Sequence, residues 1–290
     1  MISGLIGLAL VFSGRYGLFE KFCAAMVAVM FVTMLYAAAL TVPNVPELIN
    51  GLVPRIPERG VVNVLSLAGG LGGTVILVAY GNWIREKGWQ TPAHMRVMRL
   101  DNTMAYVMTG VFVVSTLIVG AELLHSAGIA VDDGEGGMLD LAGVLRERYG
   151  EFAGTFFLIG FWAAAMSTLV GAWNGVSLMF ADFIGQLRGL TGEHPARTSS
   201  GTTYKMYVLW MTFPPMVPLF LGQPVWLILA FSVLSAFFMP FLSITLMLLL
   251  NSERVPSEWR NGFARNLLMG LSVLAFVALA VNQLAKTLAG

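Results

Sequence analysis

The stretch Leu67-Ala-Gly-Gly-Leu-Gly-Gly-Thr-Val-Ile-Leu-Val-Ala-Tyr-Gly-Asn-Trp83 lies inside a segment, Gly60 to Ile84, that carries no charge. Its length and apolarity suit a bilayer crossing. Its glycines do not suit an unbroken helix: Gly69, Gly70, Gly72 and Gly73 each weaken one by about 1 kcal/mol relative to alanine. A crossing that breaks near mid-depth bares main-chain carbonyls and amides. Lipid cannot satisfy them, so they must face protein, water or a bound ion. Transporters build substrate sites from helices broken in this way. A second reading is close packing alone, because Gly69-x-x-x-Gly73 also makes a small-residue face for a neighbouring helix. The four glycines favour the break.

The rest of the chain agrees with a membrane setting. Hydrophobic residues make up 57% of the 290 and charged residues 11%, with a mean hydropathy of +0.77. Soluble domains carry about 25% charge. The composition predicts an all-α polytopic membrane protein, multi-pass in the cell inner membrane, with the lipid bilayer as its first partner. A net charge of +1 argues against nucleic acid as another. The single cysteine, Cys23, excludes an intrachain disulfide and any thiol-cluster metal site, and reads as a small apolar residue of a helix. The opening Met1–Phe12 has the apolar length of a signal-peptide core without a basic leader, so it reads as a shortened membrane helix.

One transmembrane domain over 1–290 is expected, with spans near 2–13 (partial), 22–42, 61–84 (broken), 102–124, 152–181, 207–221, 225–250 and 266–285. Gly222-Gln-Pro224 supplies the turn that divides the uncharged run from Met206 to Ser252. Basic loops mark the cytoplasmic side. These are the loop with Arg85, Lys87, His94, Arg96 and Arg99, the loop with Arg188, Arg197 and Lys205, and the loop with Arg254, Arg260 and Arg265. The acidic loop with Asp132, Asp133, Glu135 and Asp140 falls outside. The broken crossing then enters from outside and leaves into the cytoplasm, and the N-terminus lies outside.

Gly72 to Trp89, Gly-Gly-Thr-Val-Ile-Leu-Val-Ala-Tyr-Gly-Asn-Trp-Ile-Arg-Glu-Lys-Gly-Trp, resembles the sixth helix of the Nramp-type (natural resistance-associated macrophage protein) divalent metal transporters, in a divergent bacterial branch. Further stretches carry the resemblance along the chain. They are Arg99-Leu-Asp-Asn102 with Val119-Gly-Ala-Glu-Leu-Leu124; Gly160-Phe-Trp-Ala163 with Gly171-Ala-Trp-Asn-Gly175 and Phe180-Ala-Asp182; and Asn251-Ser-Glu-Arg-Val-Pro256 with Trp259-Arg-Asn261. The resemblance implies a LeuT-like fold of two inverted five-helix repeats, the first helix of each repeat being broken. It implies membrane transport of a divalent metal ion by alternating access, no enzyme activity, no resident cofactor, and coupling to protons or to the ion gradient as a symport. Mapped onto that fold the chain starts near the fourth helix. The second repeat is then complete and the first is reduced to its last two helices. The Asp-Pro-Gly motif of the family's first broken helix is absent, since no Asp-Pro dipeptide occurs. On this mapping the chain neither transports nor binds metal tightly alone. It is a truncated product, or a non-transporting membrane subunit whose partner chain supplies the missing N-terminal helices.

The candidate metal positions follow from the same resemblance. Where the family has Ala-Thr-Val-Met-Pro-His, this chain has Gly73-Thr74-Val75-Ile76-Leu77-Val78. Gly73 offers a backbone carbonyl, with Thr74 beside it. Ile76 stands at the methionine position and has no lone pair to give. Phe238 stands where the family often has a glutamine before Leu-Pro-Phe. A thioether favours softer transition metals, and hard cations need only oxygens and water. Its loss makes Mg²⁺ plausible as the cargo in place of Mn²⁺ or Fe²⁺. Tyr80 and Asn82 either line the inner half of the pathway or make interhelical hydrogen bonds. Trp173-Asn174 either faces a central cavity or cross-links helices. Glu122 reads as an interfacial acid rather than a proton carrier. His94, His125 and His194 are too scattered for a zinc site, and no His-Glu-x-x-His or Gly-x-Ser-x-Gly motif is present. The 17 methionines spread over several spans as packing residues. Asp132 to Gly137 lacks EF-hand spacing and reads as a solvated turn. An intramembrane enzyme would need a polar catalytic cluster at mid-depth, and the sequence offers none.

Overall fold

The computed structural model describes residues 2–41, 76–122, 135–190, 194–220, 238 and 240–289. The glycine-rich break at 69–73 lies outside them. Helix α1 (Ile2–Phe12) and helix α2 (Tyr16–Leu40) meet at a tight corner. Gly14 adopts φ +65° there, and the Ser13 hydroxyl donates to the Leu10 carbonyl at 2.7 Å. Helix α3 (Ile76–Glu86) stops where Gly88 turns left-handed at φ +73°. The Gly88 amide then reaches the Arg85 carbonyl and the Trp89 amide the Ile84 carbonyl, at 2.9 and 2.8 Å. This crossed pair satisfies carbonyls that a helix end leaves bare.

A 3₁₀ turn, Pro92–His94, leads into α4 (Met95–Gly120). Helices α5 (Glu135–Tyr149) and α6 (Glu151–Leu187) are separated only by Gly150 at φ +91°. Helix α6 ends as α3 does, with Gly189 at φ +70° and the Leu190 amide on the Gly185 carbonyl at 3.0 Å. After the 3₁₀ turn Pro195–Arg197 comes α7 (Thr202–Thr212). Helices α8 (Pro240–Leu250) and α9 (Phe263–Ala289) follow, with the 3₁₀ turn Ser257–Trp259 between them.

Two expected segments differ in detail. Residues 135–149, expected in an acidic outer loop, are helical from Glu135 onward. Leu141, Ala142 and Leu145 recur on one face of that helix and are buried. Arg146 and Arg148 in its last turn complement the helix dipole. The segment expected to span 207–221 is α-helical from Thr202 only to Thr212 and passes into a 3₁₀ helix, Pro214–Phe220. Pro214 and Pro215 have no amide hydrogens, which ends the α-helical ladder.

Among the described residues three helices are long and apolar enough to cross a membrane: Tyr16–Leu40, Pro92–Gly120 and Glu151–Leu187. The 37 residues of α6 extend about 55 Å, against a hydrocarbon core of about 30 Å, so this helix must tilt or project. Large apolar side chains stand bare on α4, with Leu100 and Leu117 both 63% exposed. Such faces suit lipid.

The chain divides into two compact units, Met1–Val53 with Val78–Pro214 and Pro54–Leu77 with Pro215–Gly290. In the first, α6 is the axis, and α1, α2, α5 and α7 all pack on it. Lipid tails are as apolar as leucine, so close contact rather than escape from water must drive this packing. The sequence of α6 meets that need with buried Gly154, Gly160, Ala163, Gly175, Ala181 and Gly185. Gly160 leaves no room for a Cβ against Thr33 of α2. One core gathers Val11, Phe19, Met166, Val170, Leu178, Tyr204 and Val208. Another gathers Ala37, Ala38, Val119, Leu141, Leu145 and Phe157. In the second unit Asn251 and Asn266 exchange amide hydrogen bonds of 2.9 and 2.8 Å between α8 and α9.

Candidate functional site

The six candidate metal positions are not assembled among the described residues. Gly73 and Thr74 lie outside them. Ile76 is the first residue of α3. Tyr80 and Asn82 lie on the same helix but turn to different partners. The Tyr80 hydroxyl donates to Asp101 Oδ2 at 3.0 Å, on α4. Asn82 Oδ1 accepts from Arg85 Nη2 at 2.7 Å, on its own helix. Phe238 is helical and half-buried, in the other unit. Among the described residues no group of three or more His, Cys, Asp or Glu side chains could hold a metal ion.

Helix α3 is tied to its neighbours from Val78 onward by side-chain hydrogen bonds and ion pairs. Trp83 Nε1 donates to Asn174 Oδ1 at 2.8 Å. Asn174 Nδ2 donates to the Tyr204 hydroxyl at 2.8 Å, which in turn reaches the Val11 carbonyl at 3.3 Å. Asn174 is 2% exposed and Tyr204 0%. This polar chain runs through the core and ties α3, α6, α7 and α1 together. Of the two readings of Trp173-Asn174, the cross-link is the one the structure takes for Asn174. Beside it Gly175 lets α3 come close: a Cβ there would lie 2.8 Å from Ala79 Cβ and 3.1 Å from the Trp83 ring.

Three consecutive charged residues follow at the end of α3, and each meets a different element. Arg85 Nη1 lies 2.9 Å from Asp182 Oδ1 on α6. Glu86 accepts from the Ser199 amide at 3.1 Å and from its hydroxyl at 3.3 Å, in the loop before α7. Lys87 Nζ pairs with Glu20 Oε1 of α2 at 2.7 Å. Successive residues of a helix point about 100° apart, so one helix end can reach three neighbours. Asp182 is shared. Arg197 holds the same Oδ1 through Nε at 2.8 Å and Nη2 at 2.7 Å, and Gln186 donates to Oδ2 at 2.8 Å. Two guanidinium ions converge on one carboxylate, which leaves a local charge of +1. The glycine at Gly185 clears the path of the Arg197 stem. The Ser199 hydroxyl also lies 3.1 Å from the Gly14 carbonyl, at the α1–α2 corner.

This end of α3 gathers the α1–α2 corner, the ends of α3 and α6 and the loop at 194–201. Two of the three loops that sequence charge places in the cytoplasm contribute to it. Asp182 stands in a stretch that carries the family resemblance, without a role given to it there, while Asn174 is read from the sequence as facing a cavity or as a cross-link. Arg85 enters the sequence reading as loop charge and within the Gly72–Trp89 stretch, Arg197 as loop charge, and neither they nor Glu86 and Ser199 as site residues. A charged triplet directly after an uncharged crossing was the available signal.

No curated protein matches the chain. Residues 1–286 match the family described as Nramp, natural resistance-associated macrophage protein-like. With its all-helical fold, its membrane-length apolar helices and a match over nearly its whole length, the chain belongs to the Nramp family, whose members are transporters and not enzymes.

Proposed function

We propose that the chain serves membrane transport of a divalent cation by alternating access, with α3 as the inner half of the interrupted crossing. The cargo is a hard ion such as Mg²⁺. The carrying observation is Ile76 at the family's methionine position, within a match to a metal-transporter family that covers residues 1–286. A hydrocarbon side chain offers no soft donor, and the oxygen ligands left by Gly73 and Thr74 suit a hard or partly hydrated ion. Proton symport belongs to this reading as the family's mode of coupling. Helix α3 and the glycine-rich run before it would move against the helices around α6.

The test is flux of Mg²⁺ and Mn²⁺ into proteoliposomes, singly and in competition, for the chain by itself and together with a second chain that carries the family's first broken helix. Mg²⁺ is expected to enter at least as fast as Mn²⁺. The variant I76M restores a thioether and should move the ratio toward Mn²⁺ by about tenfold, the worth of one ligand contributing ~1.4 kcal/mol. Strong Mn²⁺ preference in the unaltered chain would overturn the hard-ion reading.

A further inference from the structure

We propose that Arg85, Glu86 and Lys87 form a releasable latch that closes the cytoplasmic end of the pathway; the proposal rests on the transport reading above for its purpose. The three side chains fasten the end of α3 to three separate elements: α6 through Asp182, the 194–201 loop through Ser199, and α2 through Glu20. A contact that must open repeatedly has to leave few charges stranded, since an uncompensated buried charge is costly. This contact meets that condition on both sides.

When Arg85 leaves, Asp182 keeps both bonds from Arg197 and the one from Gln186. Arg85 keeps Asn82 Oδ1, which travels with it on the same helix. The Ser199 hydroxyl keeps the Gly14 carbonyl within reach. Glu20 and Lys87 are open to water, at 44% and 24% side-chain exposure, so both rehydrate on release. Exposed pairs of this kind are individually weak, and several together hold a helix end without locking it. The socket has a hold of its own: Arg197 is anchored to the Leu190 carbonyl at 3.0 Å as well as to Asp182. A cleft of about 370 Å³ lined by Arg85, Glu86, Gly88, Pro195, Arg197, Thr198 and Ser200 adjoins the contact, so water already reaches its edge. The second holding point is the Trp83–Asn174 bond further up α3. Release of the charged end leaves that bond and the close approach of Ala79 and Trp83 to Gly175 between α3 and α6.

Cys23 is the chain's only thiol and packs against the same core as Trp83. The Trp83 ring lies 6.3 Å from that of Phe19, one turn before Cys23 on α2, so unseating α3 is expected to bare this side of α2 and raise the reactivity of Cys23. In the full chain in inside-out vesicles, alkylation of Cys23 by a membrane-impermeant maleimide measures opening without any metal. D182N removes the carboxylate between two guanidinium groups and should raise the Cys23 rate about fivefold. K87M, which loses the Glu20 pair and the cation–π contact with Trp89 at 4.5 Å, should raise it about twofold. D182E should restore the slow rate. A C23S/A142C chain carries its thiol in the other core, between α5 and α6, and should react equally slowly with and without D182N. If the thiol of A142C opens together with Cys23 in D182N, that variant has lost its fold, and K87M decides. An unchanged Cys23 rate in K87M, or in a folded D182N, overturns the latch. Loss of Mg²⁺ selectivity with an intact Cys23 response would instead overturn only the ion assignment.

Discussion

At the residue scale, the chain's polar side chains work as ties between helices. In lipid an unpaired amide or hydroxyl is costly, so a buried asparagine is tolerated where both ends of its side chain are used. Asn174 meets that demand, accepting from Trp83 and donating to Tyr204. N174L leaves the Trp83 indole without its acceptor, while the Tyr204 hydroxyl keeps the Val11 carbonyl, and should destabilise the protein by about 1–3 kcal/mol, the cost of one buried group left unsatisfied. Thermal unfolding in detergent checks this, and a fall in Tm indistinguishable from that of an exposed-site control such as L100A would refute it. Asp101 and Asp182 follow the same rule with charge, each accepting from a side chain of α3.

At the element scale, the tight approaches are made by glycine. Gly14 turns the α1–α2 corner at φ +65°, and a Cβ there would lie 2.7 Å from the Ser199 carbonyl oxygen. G14A therefore meets both a left-handed backbone and a backbone neighbour that cannot swing aside. It should cost about 1–3 kcal/mol, seen as a lower Tm together with faster proteolysis at the corner. Gly175 presents side chains instead, Ala79 and Trp83. G175A should push α3 away from α6 and raise the Cys23 alkylation rate as D182N does, an outcome that links the close approach to the latch. Long apolar elements were legible from hydropathy, since α2, α4 and α6 fall where uncharged runs lie. The early end of α7 was also written in Pro214 and Pro215, but a hydropathy window averages over them.

At the scale of the whole molecule, we propose from the charge asymmetry between loops that the end of the first unit holding Arg85, Lys87 and Arg197 faces the cytoplasm. In a C23S background, H94C should label only from the cytoplasmic side and D140C only from outside. The reverse pattern would invert the direction of the latch and of the proposed flux. The match over residues 1–286 places the chain in the Nramp family, whose members are transporters.

Sequence alone determined the class, the three longest apolar helices and the family, because each is a sum over many residues. Twenty apolar positions in a row declare a crossing whatever they touch, and Ile76 lacks a lone pair in any fold. The partners of α3 were decided only by tertiary structure. Arg85 meets Asp182 across 97 positions of chain and Glu86 meets Ser199 across 113. Such pairings depend on helix rotation and on how closely two backbones approach, which single residues such as Gly175 and Gly185 set. A guanidinium group beside a membrane surface has several carboxylates to choose from, and only packing selects one.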